Sequence, residues 1–152
     1  MAIKIEVHCN SSFNSPHSLE KTLGLLSNYE QNIGNHFEGL QNFIPEGKDV
    51  YRWVFKTLSY GGNQLKIEFK TQFQQVGTDM IKIIPVDSTC KAALSGCWKL
   101  LPLNEGTRVN FEADLVGELP LPSLMKSMVT PIAQREVTKI FDQYIHNVSK
   151  SL

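Results

Sequence analysis

The chain is poor in cysteine, with three in 152 residues. Cys9, Cys90 and Cys97 cannot build a full disulfide framework, and none stands at the spacing of a zinc or redox pair. They read as free thiols of a reducing compartment. Charge excess is also missing, since Lys+Arg and Asp+Glu each number 15. Neutralising phosphates takes a clustered basic excess, so nucleic acid is not expected as a partner, nor is polybasic attraction to anionic lipid. No stretch approaches the ~18 apolar residues of a membrane span. The opening Met1-Ala2-Ile3-Lys4-Ile5-Glu6 has no apolar core of a secretion signal. A cytoplasmic protein without integral membrane association is expected. Linkers, low-complexity runs and internal repeats are absent too, which predicts one domain over residues 1–152.

Catalytic signatures are equally scarce. There is no G-x-S-x-G, and Gly61-Gly62 reads as a turn rather than a phosphate loop. No histidine pair has metal-ligand spacing, and no acid pairs with a histidine on a helix face. Neither a metal nor a cofactor is expected.

What the chain does have is alternation. Ile3, Ile5, Val7 and Cys9 alternate with Lys4, Glu6, His8 and Asn10, the period of a strand with one buried face. Asn14-Ser15-Pro16 predicts a helix start, capped by Ser15 or Asn14 with Pro16 in the first turn. Leu19, Leu23 and Leu26 follow at helical spacing, and Gly34 is expected to end a second short helix, Asn28 to Ile33. From Phe37 the signal is β. A short strand is expected over Gly39 to Ile44, then Tyr51, Trp53 and Phe55 alternate with Arg52 and Lys56. After the Gly61-Gly62-Asn63 turn, Leu65, Ile67, Phe69, Thr71 and Phe73 form the cleanest strand. Further strands are expected over Met80 to Val86, Lys91 to Leu101 and Thr107 to Val116. Such a meander suits a sheet with one solvated and one buried face.

Helical spacing then runs from Pro122 to the C-terminus. Ala133, Val137, Ile140, Phe141, Tyr144 and Val148 form one apolar stripe. Leu121, Leu124, Met125 and Met128 fall roughly 160–200° away from it. With Pro131 between the two sets, a break or sharp kink is predicted near Thr130, separating a short Pro122–Val129 helix. This Met-rich piece either packs on the sheet with the rest or forms a lid.

The predicted interior holds few polar groups, namely the hydroxyls of Tyr51, Thr57 and Thr71. His8, His17 and His146 fall on polar faces; His36, near the junction of helices and sheet, is the histidine to test. Arg52, Arg108, Glu112 and Asp114 alternate outward, and only a one-residue register slip would turn them in. Gly96 and Ala113 are small on inward faces, so either the last helix approaches closely there or a cavity opens.

Ser95-Gly96-Cys97-Trp98-Lys99-Leu100-Leu101-Pro102, then Gly106-Thr107-Arg108-Val109-Asn110-Phe111, then Pro120-Leu121-Pro122 and a long helix resemble the START-like (SRPBCC, Bet v 1-like) superfamily. The resemblance is to its polyketide cyclase and lipid-transport branch, near the carbon-monoxide-dehydrogenase G-like proteins. It implies an α+β helix-grip fold: a curved antiparallel sheet of about six to seven strands around a long C-terminal helix, with two short helices after the first strand. It also implies a cavity for a lipid, quinone or polyketide-like molecule. By position it would set Trp53, Phe69, Leu94, Trp98 and Phe111 on the cavity side, with Met128, Ile132 and Val137 from the helix. Tyr51 would orient a polar end of the ligand. The expected function is binding or transport of a hydrophobic small molecule. A cyclase or aromatase-type enzyme, which needs an ionisable group in the cavity such as His36, and a protein-interaction module with a filled cavity are the alternatives. The resemblance leaves the oligomeric state open.

Overall fold

The computed structural model describes residues 3–60, 62–86 and 92–152. Cys90 therefore lies outside the described residues. The order is β1 (Ile3–Ser15), α1 (Leu19–Leu26), α2 (Tyr29–His36), β2 (Leu40–Pro45), β3 (Val50–Phe55), β4 (Leu58–Tyr60), β5 (Asn63–Leu65), β6 (Glu68–Val76), β7 (Met80–Pro85), β8 (Ala92–Pro102), β9 (Thr107–Leu119), a 3₁₀ turn at Ser123–Met125, and α3 (Lys126–Ser151). Seven strands form one curved antiparallel sheet in the order β1-β9-β8-β7-β6-β3-β2, and β4 pairs with β5 as a separate hairpin. The chain has the helix-grip α+β architecture, with α3 against the buried face of the sheet.

The alternation pattern sets the register. On β9, Val109, Phe111, Ala113 and Leu115 are buried while Arg108 and Asp114 face solvent. β8 meets it with Leu94, Trp98 and Leu100 inside, and Trp98 lies opposite Phe111. β1 pairs with the whole length of β9, from Ile3 opposite Leu119 to Ser15 opposite Thr107. Two long strands with matched alternation bury a continuous apolar face, which is how sheets of this kind gain stability.

The paired helices start later than expected. β1 continues through Ser15, whose hydroxyl meets the Thr22 hydroxyl at 2.9 Å in the interior. Ser18, not Asn14 or Ser15, caps α1, accepting from the Lys21 amide. α2 runs through Gly34 to His36, so that glycine does not end it. The strand expected from Leu65 to Phe73 is interrupted: Leu65 closes the β4–β5 hairpin, and β6 begins at Glu68.

The largest correction concerns the C-terminal helix. α3 is unbroken from Lys126 to Ser151 with Pro131 inside it, and the separate short helix shrinks to the Ser123–Met125 turn. The angular mismatch is relieved by exposure instead of a break: Leu124 is 94% exposed and Met128 53%. Only Leu121 and Val129 of that segment are buried. Pro131 is tolerated because it sits in the second turn, where the acceptor it leaves free is the carbonyl of exposed Ser127.

Small residues answer to close contacts. A Cβ on Gly96 would meet the Glu112 carbonyl oxygen at 2.1 Å, so neighbouring β9 backbone, neither helix nor cavity, demands glycine there. The close approach of α3 occurs at Gly39, where a Cβ would meet Ile140 at 2.7 Å.

Candidate functional site

The interior between sheet and α3 is built from the alternating aromatics. Trp53 and Phe69 lie opposite each other on β3 and β6, and Trp98 and Phe111 on β8 and β9. Each is at most 2% exposed. Ring contacts link them: Trp53 to Phe69 at 5.4 Å, Phe73 to Trp98 at 6.0 Å, and Trp98 to Phe111 at 5.2 Å. α3 closes over them through Phe141 and Tyr144, which approach Phe111 at 6.2 and 5.8 Å. Phe37 stacks on Tyr144 at 4.6 Å and joins the short helices to this cluster.

Of the residues expected from sequence, Trp53, Phe69, Leu94, Trp98, Phe111 and Val137 are buried together in one core. Ile132 is half-buried on α3. Tyr51 is half-buried and stacks on Phe43 at 4.6 Å in an aromatic group with Tyr29 and Phe73. Met128 projects into solvent. His36 is half-buried at the end of α2; its Nδ1 pairs with the Asn32 carbonyl at 2.7 Å, and its own carbonyl accepts from Asn147 of α3. His36 thus joins α2 to α3.

The polar groups inside differ from those expected. Thr57 is exposed. Thr71 is fully buried and accepts from Trp53 Nε1 at 2.8 Å, satisfying that indole. The hydroxyl that sequence reading overlooks belongs to Tyr144, 1% exposed, which donates to Asn32 Oδ1 at 2.6 Å. Asn32 Nδ2 donates in turn to the Leu26 carbonyl at 2.9 Å. Burial raises the Tyr144 pKa, against the lowering influence of Asn32 and the nearby Trp98 indole. Trp98 Nε1 itself is fully buried and meets no protein acceptor in full hydrogen-bond geometry, although it is near enough to the Tyr144 hydroxyl to act on it. In sequence Tyr144 is visible only as one apolar-stripe position, and Asn32 as one more polar residue in a short helix.

Among the described residues, the buried polar side chains are Ser15, Thr22, Asn32, Thr71 and Thr107, with no buried acid, guanidinium or imidazole. The register holds, so the charged residues stay outside. Arg52 pairs with Glu46 and Glu68, and Lys70 reaches Glu46 at 2.8 Å, on the outer face of β2, β3 and β6. These cations hold the Glu46 carboxyl below its ordinary range. His8 pairs with Asp114 at 2.6 Å on the outer face of β1 and β9. Among the described residues, no group of His, Cys, Asp and Glu side chains is placed to hold a metal ion. No helix among them is long and apolar enough to cross a membrane.

No family model and no curated protein matches the chain. Solved structures do. The chain is similar to the Zhui aromatase/cyclase of a Streptomyces species, with TM-score 0.66 and 10% identity over 96% of this chain and 93% of that one. It is similar to a START superfamily protein from Mycobacterium smegmatis, with TM-score 0.60 and 14% identity over 95% and 97%. A protein from Thermus thermophilus aligns with TM-score 0.58 and 18% identity over 96% and 98%. The fold of this chain is therefore START-like.

Proposed function

We propose that the chain binds or carries a hydrophobic small molecule between the sheet and α3. The observation behind this reading is a buried donor without a protein acceptor, Trp98 Nε1, set among aromatic and aliphatic side chains. Leaving such a donor unpaired costs about 1–3 kcal/mol. In a binding site the same donor orients the polar group of a ligand. Affinity would come from apolar burial, roughly 25 cal/mol per Å², less the ordering of ligand and side chains. Trp53, Phe69, Leu94, Trp98, Phe111 and Val137 would form the walls, with Ile132 beside them on α3. The rings touch one another, so a ligand enters by displacing them. Tyr51, against Tyr29 at the start of α2, and His36, at the end of α2, would border the ligand, while Met128 would meet it only from the exposed first turn of α3. The likeness to START-like proteins supports a container of this shape.

A cyclase-type enzyme is the second reading, favoured by the Tyr144 hydroxyl, a phenol at the centre of the described interior that is more deeply buried than the Tyr29 phenol or the Cys9 thiol. Its raised pKa makes it a weaker acid than ordinary tyrosine, which favours binding over proton transfer.

Native mass spectrometry of the protein as purified, with lipid extraction, tests the binding reading, together with titration of the apolar fluorophore N-phenyl-naphthylamine. Co-purified apolar ligand or saturable fluorophore uptake, with a raised melting temperature, is expected. No uptake and no extractable ligand would overturn it.

A further inference from the structure

Two exposed apolar side chains sit together where β9 gives way to α3. Leu124 is 94% exposed and Met128 53%. The 3₁₀ turn at Ser123–Met125 runs directly into α3, so Leu124, Met128 and Pro131, four and three residues apart, share one solvent-facing stripe. The stripe is held outward, because Leu121 and Val129 on either side of it are buried in the core and fix the rotation of the segment. Its charge is distinctive too. Between Leu119 and Gln134 there is no acid, and the only charged residue is Lys126, exposed beside the stripe. The acids at the adjoining strand ends, Glu118 and Glu6, are both set against Lys4, which lies opposite Glu118 and 3.4 Å from Glu6. At the other end of β9 the exposed Leu101 lies opposite Arg108, and Leu103 is followed closely by Glu105.

We infer that this stripe docks the protein on the surface of a phospholipid bilayer, with Leu124 as the inserted residue and Met128 at the interface. Area decides against a second copy of the chain: the two side chains offer on the order of 300 Å², well short of the ~800 Å² that each partner gives to a stable protein interface. A bilayer demands no matching shape. It takes up single side chains, and attachment grows with the apolar area inserted. Charge points the same way. With no carboxylate between Leu119 and Gln134, nothing in the segment is driven against lipid phosphates, and Lys126 can lay its stem along the interface with its ammonium at the headgroups. One lysine is not a polybasic patch, so the attachment is weak, reversible and set by the leucine more than by charge. The inference stands apart from the binding reading, since a docking surface needs no occupied interior.

The test uses the full chain and unilamellar vesicles, either of phosphatidylcholine alone or of phosphatidylcholine and phosphatidylglycerol in equal amounts. Co-sedimentation is expected with both and is stronger with the mixed vesicles. Leu124→Asp, at a side chain exposed enough to leave the fold alone, should lower the partition coefficient roughly tenfold or more. Leu101→Asp, an exposed leucine at the other end of β9, should match wild type. Lys126→Gln should lose about fivefold on the mixed vesicles and little on phosphatidylcholine. In proton–nitrogen NMR with spin-labelled lipid, the amides of Ser123 to Met128 should broaden, and those of Leu101 and Leu103 should not. No association with either vesicle, or equal losses in Leu124→Asp and Leu101→Asp, overturns the inference. So does sedimentation equilibrium showing a dimer that Leu124→Asp dissociates, which would give the stripe to a second copy. Fluorophore uptake is scored separately: its absence overturns the binding reading and leaves the docking surface standing, and vesicle failure does the reverse.

Discussion

At the scale of single residues, burial explains more of this chain's chemistry than charge does. Cys9 lies on β1 against α3, where burial, and to a lesser degree Asp142, push its thiol up from 9.0 to about 11, against Thr138. It is a core side chain in the folded state, not a reactive thiolate. Tyr29, stacked on Phe73, is pushed from 10.0 to about 12 by burial, with Asp49 and Tyr51 adding to it. Both folded values lie above the unfolded ones, so the unfolded chain releases these protons first. Their contribution to stability is whole below about pH 9 and is lost as pH rises, over 9 to 11 for the thiol and 10 to 12 for the phenol. Each group gives at most about 1.4 kcal/mol per pH unit within its window. Urea unfolding between pH 8 and pH 10 should show stability declining above about pH 9. In Cys9→Ala the early part of that decline should be shallower. Identical slopes for the two proteins would mean that Cys9 does not set it.

At the scale of elements, strands are legible in the sequence and the boundaries of helices are not. Alternation on β8 and β9 predicts which residues are buried, because each strand has one apolar face and the register follows from it. Helix limits depend on competing local signals. Asn14-Ser15-Pro16 has the composition of a helix start, yet Ser15 is held in the ladder opposite Thr107 and by Thr22 within the core. Pro131 reads as a breaker because proline removes a donor, but the cost depends on where the freed carbonyl lies. Here it belongs to Ser127, exposed in the first turn. Two consequences follow. Pro131→Ala restores the missing helical bond and should raise unfolding free energy by about 1–3 kcal/mol, at the low end if water already serves Ser127. Amides of Lys126 to Thr130 should also exchange faster than those of Val137 to Tyr144, since the first four lack acceptors within α3 and Met128 is solvated. A Pro131→Ala protein no more stable than wild type would show that the ring's packing outweighs the restored bond.

At the scale of the whole molecule, α3 is fixed at both sides. Gln134 donates to the Glu6 carbonyl of edge strand β1 at 2.9 Å, while Tyr144 and Asn147 bind Asn32 and His36 of α2. The apolar walls of the candidate site can be read from the sequence because they follow the period of the strands. Its polar end cannot. Tyrosine counts as apolar in a helical stripe, and the partner of Tyr144 lies 112 residues away on an undistinguished helix. The unpaired Trp98 N–H is less legible still, since a missing contact depends on every neighbour at once. If the Tyr144–Asn32 bond couples the short helices to α3, the two side chains must lose energy together when either is removed. Tyr144→Phe leaves Asn32 Oδ1 buried without its donor, and Asn32→Ala leaves the Tyr144 hydroxyl and the Leu26 carbonyl unpaired. Each single change should cost about 1–3 kcal/mol. Their combination should cost less than the sum by about 1–2 kcal/mol, the signature of a direct interaction in a double-mutant cycle. Urea unfolding of the four proteins measures it. Additive losses would mean that the bond does not couple α2 to α3, and that ring stacking of Phe37 on Tyr144 holds the junction by itself.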